Sequence, residues 1–275
     1  MKKRWLYTLL IPGLIIIIAF LFIPLIYTIG TTFKGETGFT FERYVNFFKD
    51  GYFVKIFNRT LRIALITAII SMILGMPVAY YISRTKKSVR GIFIACTVFP
   101  LLTNSVVRSF AWMTILGKNG VINKLLLNLN IIEKPLKLLY TESAIIIGTV
   151  YLFLPLMVVS LVGVMENIEG DLIEAAESLG ASKIKAFFKV IFPLSVPGLI
   201  VGSVLVFTGA FTAYTTPQLL GGNKNIVLST LVYQRAMTLG DWTGASVVAT
   251  VMIITTLTVI AIINKLASRL NERGM

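Results

Sequence analysis

Residues 143–165 read SAIIIGTVYLFLPLMVVSLVGVM, and residues 166–197 continue as ENIEGDLIEAAESLGASKIKAFFKVIFPLSVP. The first part holds no Asp, Glu, Lys or Arg. It is long enough to cross about 30 Å of hydrocarbon, which takes roughly 20 apolar residues as a helix. The second part is polar and carries helix start and stop signals, so it predicts an ordered loop at the membrane surface. One span followed by one structured loop sets the pattern for the rest of the chain.

A charge at the bilayer centre costs at least about 2.5 to 3.5 kcal/mol, so long gaps between ionisable residues mark spans. Working outward from residue 143, five more gaps appear, at 5–33, 63–83, 91–107, 190–223 and 242–264. Lipid leaves backbone groups no water to bond, so continuous apolar runs are read as helices. The predicted fold class is an all-α membrane protein with six transmembrane helices in a single domain over 1–275. The spans fall at about 5–30, 60–83, 92–116, 143–165, 195–216 and 242–265, with a loop at 166–194. The third accommodates Arg108 near one end. The first follows Lys2, Lys3 and Arg4 as a secretory signal does, but it is too long and lacks a small-residue cleavage site, which predicts an uncleaved helix.

Composition agrees with this class. Of 275 residues, 56% are hydrophobic and 14% charged, against about a quarter charged in soluble domains. The net charge of +14 comes from short clusters between apolar runs, which fits phospholipid headgroups and not nucleic acid. With no His and the single Cys96, the chain can form no internal disulfide, no His or Cys metal site and no His general base. Half of the 26 basic residues lie inside if the N-terminus is cytoplasmic, so the count alone is a tie. The four charges of Arg84, Lys86, Lys87 and Arg90 in one short loop favour that orientation, with both termini cytoplasmic.

Within 166–197, Asp171 and Glu174 resemble a capping box that opens a helix with Leu172, Ala175, Ala176 and Leu179 at helical spacing. Gly180 stands where a left-handed C-terminal cap is needed. Ser182 starts a second helix with Lys183, Lys185 and Lys189 beside Ile184, Phe187 and Phe188, running toward Pro193. The pattern suits an interfacial hairpin anchored by Lys and Phe. It equally suits a docking bracket, in which the alanines admit a partner's backbone and Glu174 and Glu177 pair with its Arg or Lys.

The order Glu174, Ala175, Ala176, Gly180, then Val190, Ile191, Phe192 and Pro193 resembles the EAA signature of permease subunits in binding-protein-dependent ATP-binding-cassette importers. Val190 and Phe192 replace the Ile and Leu of that pattern. The resemblance implies a type I importer permease (MetI-like) fold, a bacterial cytoplasmic membrane location and a cytoplasmic coupling loop. The ATPase-coupling residues it implies are Glu174, Ala175, Ala176, Glu177, Leu179, Gly180 and Pro193. It also implies two copies of an ATP-binding subunit, a second homologous permease and an extracytoplasmic solute-binding protein as partners. The chain has no GxxxxGK[ST] loop, so ATP must bind elsewhere, and the resemblance implies a transport subunit that is not itself an enzyme and binds no cofactor, with ATP and Mg on the partner ATPase.

The stretches FPLLTNSVVRSFAWMTILGKNGVINKLLL, TESAIIIGTVYLFLPLMV, FTAYTTPQLLGG and GDWTGAS are similar to permeases of the spermidine/putrescine type, a branch that also includes ferric iron and phosphonate permeases. Polyamine is therefore the expected cargo. A phosphonate or other organic anion, or ferric iron, is the alternative, since the outer segments are basic and no span holds a carboxylate. Candidate translocation-path residues are Asn104, Ser105 and Arg108 in span three, and Thr208, Thr212, Tyr214, Thr215 and Gln218 in span five. Each has a second reading. Arg108 can snorkel or pair structurally, and the threonines can bond a preceding carbonyl or a neighbouring helix. A secondary transporter or channel would show internal repeats or intramembrane carboxylates, and an enzyme would show convergent acid-base or metal groups.

Overall fold

The computed structural model describes the backbone of residues 3–35 and 38–272 and the side chains of 10–35 and 38–266. Lys2, which enters the charge reading above, lies outside the described residues, as do the side chains of Lys3 and Arg4. The chain is helical almost throughout. In order, α1 covers 3–32, α2 Glu42–Lys49, α3 Gly51–Arg84, α4 Lys87–Leu102, α5 Ser105–Leu116, α6 Val121–Asn128 and α7 Glu142–Met165. Then come α8 Asp171–Ser178, α9 Lys183–Leu194, α10 Val196–Thr212, α11 Thr215–Gly221, α12 Leu228–Tyr233 and α13 Trp242–Glu272. A two-residue hairpin, Lys34–Gly35 with Gly38–Phe39, follows α1. The residues group into two compact units: the chain up to Lys55 with Leu231–Ile254, and Ile56–Thr230 with the chain from Thr255 on.

Four helices are long and apolar enough to cross a membrane by themselves: Leu10–Thr32, Gly51–Arg84, Glu142–Met165 and Trp242–Leu266. Two bent pairs bring the number to six, α4 with the helical run after Asn104, at 92°, and α9 with α10, at 67°. The third expected span, 92–116, is therefore not one helix. Its chain leaves the helix at Thr103, which is extended, and Asn104, which is also non-helical at φ −58° and ψ 130°, and restarts at Ser105. The fifth expected span is also shorter than predicted. It ends at Thr212, and Ala213 in an extended conformation separates it from α11.

In the larger unit α7 is the hub. It packs along α10 and against α4 and α11. Met157, Val158, Leu161, Val162 and Met165 bury against Met76, Ala79 and Ile82 of α3 and Leu199 and Val206 of α10. Gly202 makes this approach possible, because a Cβ there would stand 2.5 Å from Met157 Sδ. The close helices also share polar contacts that lipid cannot replace. Ser160 Oγ donates to Gly198 O at 2.9 Å, and the Thr67 and Thr149 hydroxyls bond at 2.9 Å between α3 and α7.

At the other end of α7, Glu142 takes Arg59 Nε at 2.9 Å and Arg62 Nη2 at 2.6 Å, while Arg59 Nη1 donates to Ile226 O at 3.1 Å. Between Gly120 and Pro135 the chain is helical only over α6. Buried Asn123 ties it to Gly117 O and to both backbone groups of Leu136. In the smaller unit, α1 is exposed along its apolar stretch within the chain, and Arg235 pairs with Asp241 at 2.8 Å.

Candidate functional site

The loop after α7 folds as a two-helix bracket. The expected capping box is absent: Gly170, already helical at φ −61° and ψ −35°, occupies the N-cap, and its carbonyl accepts from Ile173 N and Glu174 N. Asp171 thereby becomes the first helical residue, where its charge still favours the helix N-terminus. The helix stops as predicted. Gly180 has φ +83°, Gly180 N donates to Glu177 O at 2.9 Å and Ala181 N to Ala176 O at 3.0 Å, the paired bonds of a Schellman cap. Ser182 Oγ accepts from Lys185 N at 3.4 Å and opens α9.

The inward side of α8 is Ile173, which with Phe187 packs against the core cluster holding Ala79, Ile82, Met165 and Ile191. The residues read as one helical face point elsewhere. Leu172 is 44% exposed, Ala175 is exposed, and Leu179 at the turn is 90% exposed. Glu174, Glu177, Gly180 and Pro193 are exposed and Ala176 is half-buried. Among the described residues neither Glu174 nor Glu177 has an ion-pair partner in the chain. An apolar tip flanked by unpaired carboxylates cannot sit in hydrocarbon, yet it leaves apolar area uncovered in water. Both conditions are met by a protein partner.

The bracket is held by residues that the sequence reading used only for orientation. Arg84, in the last turn of α3, donates from Nη1 to Ile168 O at 2.9 Å. Arg90, in the first turn of α4, donates from Nη1 to Glu166 Oε2 at 2.6 Å and from Nη2 to Ser83 O at 2.8 Å and Thr85 O at 3.2 Å. Tyr80 sits between, its ring 5.7 Å from the Arg84 guanidinium and edge-on to Phe187 at 5.2 Å. The available signal was residue type. A loop needing only positive charge can use Lys throughout, whereas Arg at 84 and 90 supplies a planar fork for several acceptors.

The candidate path residues gather at the two helix breaks. Asn104 caps α5, its Oδ1 accepting from Val106 N at 2.9 Å and Val107 N at 3.3 Å, and the Ser105 carbonyl accepts from Ser109 Oγ at 2.8 Å. Arg108, 8% exposed, turns back across the break and donates from Nη1 to Pro100 O at 2.8 Å and to Thr103 O and Oγ1 at 3.2 Å. Those carbonyls belong to the end of α4, so the guanidinium meets the negative end of a helix. Thr212 Oγ1 donates to Thr208 O at 2.8 Å, whereas Thr208 Oγ1 is buried without a partner. Tyr214 lies in the second break, and Thr215 and exposed Gln218 lie on α11, which packs against α5 and α7. The threonine stripe expected on one helix is thus divided between α10 and α11.

The chain thus combines continuous and bent apolar spans with an ordered two-helix bracket between α7 and α10, the organisation of a multi-pass membrane protein. The chain belongs to the family described as binding-protein-dependent transport system inner membrane component, whose model matches residues 68–272. It is 32% identical over 246 residues to the spermidine/putrescine transport system permease protein PotB of Escherichia coli (strain K12), covering 86% of this chain and 89% of that protein. It is 29% identical over 208 residues to the probable sulfate transport system permease protein cysT of Prototheca wickerhamii, covering 74% and 79%. Its fold matches a chain in the crystal structure of a bacterial alginate ABC transporter in complex with alginate pentasaccharide-bound periplasmic protein. That match has a TM-score of 0.80 at 19% identity, over 98% of this chain and 96% of the other. The protein is therefore a multi-pass membrane permease subunit of an ABC importer and a transport component by family.

Proposed function

We propose that the chain carries a polyamine of the spermidine/putrescine type across the bacterial cytoplasmic membrane, driven by ATP hydrolysed on separate subunits docked at the bracket. One observation carries the coupling part: Leu179 stands 90% exposed at the tip of a capped turn whose other side is fixed to the core through Ile173 and Phe187. A rigid, apolar tip is suited to seat in a cleft of a motor protein and pass its movement into α7 and α10. Glu174, Ala175, Ala176, Glu177, Gly180 and Pro193 form or frame that docking surface, which puts the bracket and both termini in the cytoplasm. The working assembly contains a second homologous permease, two ATP-binding subunits that hold ATP and Mg, and an extracytoplasmic solute-binding protein. Closure of the ATP-binding subunits shifts the brackets, and the spans switch access to a central path.

The polyamine reading rests on the likeness to PotB, which extends over most of both chains. A second reading, an anionic cargo, is favoured by the likeness to a sulfate permease and by six candidate spans without a carboxylate in their charge-free runs. Co-expression with an ATP-binding subunit tests the coupling. The wild type retains that subunit through detergent purification and Glu174→Arg loses it; equal retention by both overturns the docking surface. Competition of labelled spermidine uptake by unlabelled polyamine and by sulfate decides the cargo.

A further inference from the structure

We propose that Arg90 and Glu166, with Arg84, form the transmission joint through which movement of the bracket reaches α3 and α4, and that its integrity sets how tightly ATP hydrolysis is tied to transport. The inference rests on the coupling reading above and adds the route by which force leaves the bracket.

The bracket has two obvious covalent exits, α7 before it and α10 after it. Neither α3 nor α4 is continuous with it, yet both end beside it. Arg90 is the only described residue that bonds three segments there at once: Glu166 at the head of the bracket at 2.6 Å, Ser83 O in the last turn of α3 at 2.8 Å, and Thr85 O in the connecting turn at 3.2 Å. Arg84 adds a second attachment 2.9 Å from Ile168 O, and Ile168 is itself 8% exposed and part of the core cluster. The Arg90 side chain is 20% exposed and that of Glu166 37% exposed, so the pair is partly shielded from water. The pair's own energy is small where the carboxylate meets water, and what it adds is a fixed geometry between α4 and the head of the bracket.

The joint also depends on the shape of the guanidinium. Arg90 Nε is buried and has no acceptor, so the guanidinium has a donor free beside the two it uses. The two Nη atoms divide the work, so one planar group holds the Glu166 carboxylate through Nη1 and the Ser83 and Thr85 carbonyls through Nη2. Lys at this position would hold Glu166 as a point charge but could not also hold the Ser83 and Thr85 carbonyls in a fixed plane. Arg90 and Glu166 are therefore positioning residues, acting through helices and not on the cargo.

The test uses the full importer, permeases with ATP-binding subunits and solute-binding protein, in liposomes, with spermidine uptake and ATP hydrolysis measured together. Arg90→Glu and Glu166→Arg retain the ATP-binding subunit and hydrolyse ATP, but the ratio of solute imported to ATP hydrolysed falls by about tenfold in each. The double variant R90E/E166R, which restores the ion pair but not the bonds to Ser83 O and Thr85 O, loses no more than the worse single variant, the non-additivity of a direct pair. Should either reversal fail to assemble, Arg90→Lys, which keeps the charge but not the fork, and Glu166→Gln, which keeps the size but not the charge, lower the same ratio by about twofold to fivefold without loss of assembly. Unchanged ratios in the single variants, or losses that multiply independently in an assembled double variant, overturn the joint while leaving docking intact. Loss of ATP-binding-subunit capture by the wild type overturns the coupling reading and the joint with it.

Discussion

The bracket at 166–194 and the two breaks at 103–104 and 213–214 are both interruptions of apolar helices, but they use their polar groups in opposite ways. In the bracket, Glu174 and Glu177 have no ion-pair partner among the described residues and Leu179 lies open. At the first break Asn104 and Arg108 are committed to backbone groups within a few residues. At the second, Ser229 Oγ closes the freed carbonyl of Ala213 at 2.5 Å. Groups left unsatisfied on a surface indicate recognition, and groups satisfied internally indicate geometry. On the reading proposed above, the bracket binds a partner and the breaks shape the bundle.

The largest expected effect comes from destroying the turn of the bracket. Gly180→Pro cannot adopt φ +83°, since proline is locked near −65°, and it removes the N–H that bonds Glu177 O. ATP-binding-subunit capture and uptake should fall below detection in a pull-down and transport assay, while the permease still reaches the membrane. Retained coupling would erase the distinction between the two regions. Next is Arg108→Ala, which leaves the Pro100 and Thr103 carbonyls with lost donors at a site 8% exposed. The cost is about 1 to 3 kcal/mol, read as a lower unfolding midpoint in detergent. The Michaelis constant for uptake by the surviving protein should stay at the wild-type value; a large rise would move Arg108 from geometry to cargo contact.

Gly202→Val forces a methyl group against Met157 Sδ and should destabilise by about 1 to 3 kcal/mol, with recovery on Met157→Ala. The smallest effect is expected at Thr208, whose buried hydroxyl has no partner. Thr208→Val should change stability by under about 1 kcal/mol, in either direction, because no bond is removed. A pronounced loss of uptake at unchanged stability would instead place this hydroxyl on the path.

Much of this architecture is legible from charge alone, because the penalty for burying Lys, Arg, Asp or Glu in lipid is large and falls on single residues. That is why Glu142–Met165 and Trp242–Glu272 lie close to where the gaps put them. The same reading is blind to the breaks, since a chain can leave the helix at Thr103 or Ala213 without adding a charge. Asn104 before Ser105 is an N-cap signal, and it was visible, but it competes with an uninterrupted apolar run that argues for continuity. In the bracket, Gly180 and Ser182 act as their residue types predict. Asp171 does not, because Gly170 enters the helix first. The docking face was legible in composition but not in direction, since only tertiary packing decides that Ile173 turns inward and Leu179 outward. The holding role of Arg84 and Arg90 needed the fold, because their acceptors lie 84 and 76 residues away in sequence.

The central claim, that the tip of the bracket faces the cytoplasm and seats in a motor subunit, has a direct measurement. With exposed Cys96 replaced by Ser, Leu179→Cys offers one thiol at the tip, which a membrane-impermeant maleimide can report. The account predicts labelling in inside-out vesicles stripped of the ATP-binding subunit, protection when that subunit is restored, and no labelling in intact spheroplasts. Labelling in intact spheroplasts, or equal labelling with and without the subunit, would contradict it.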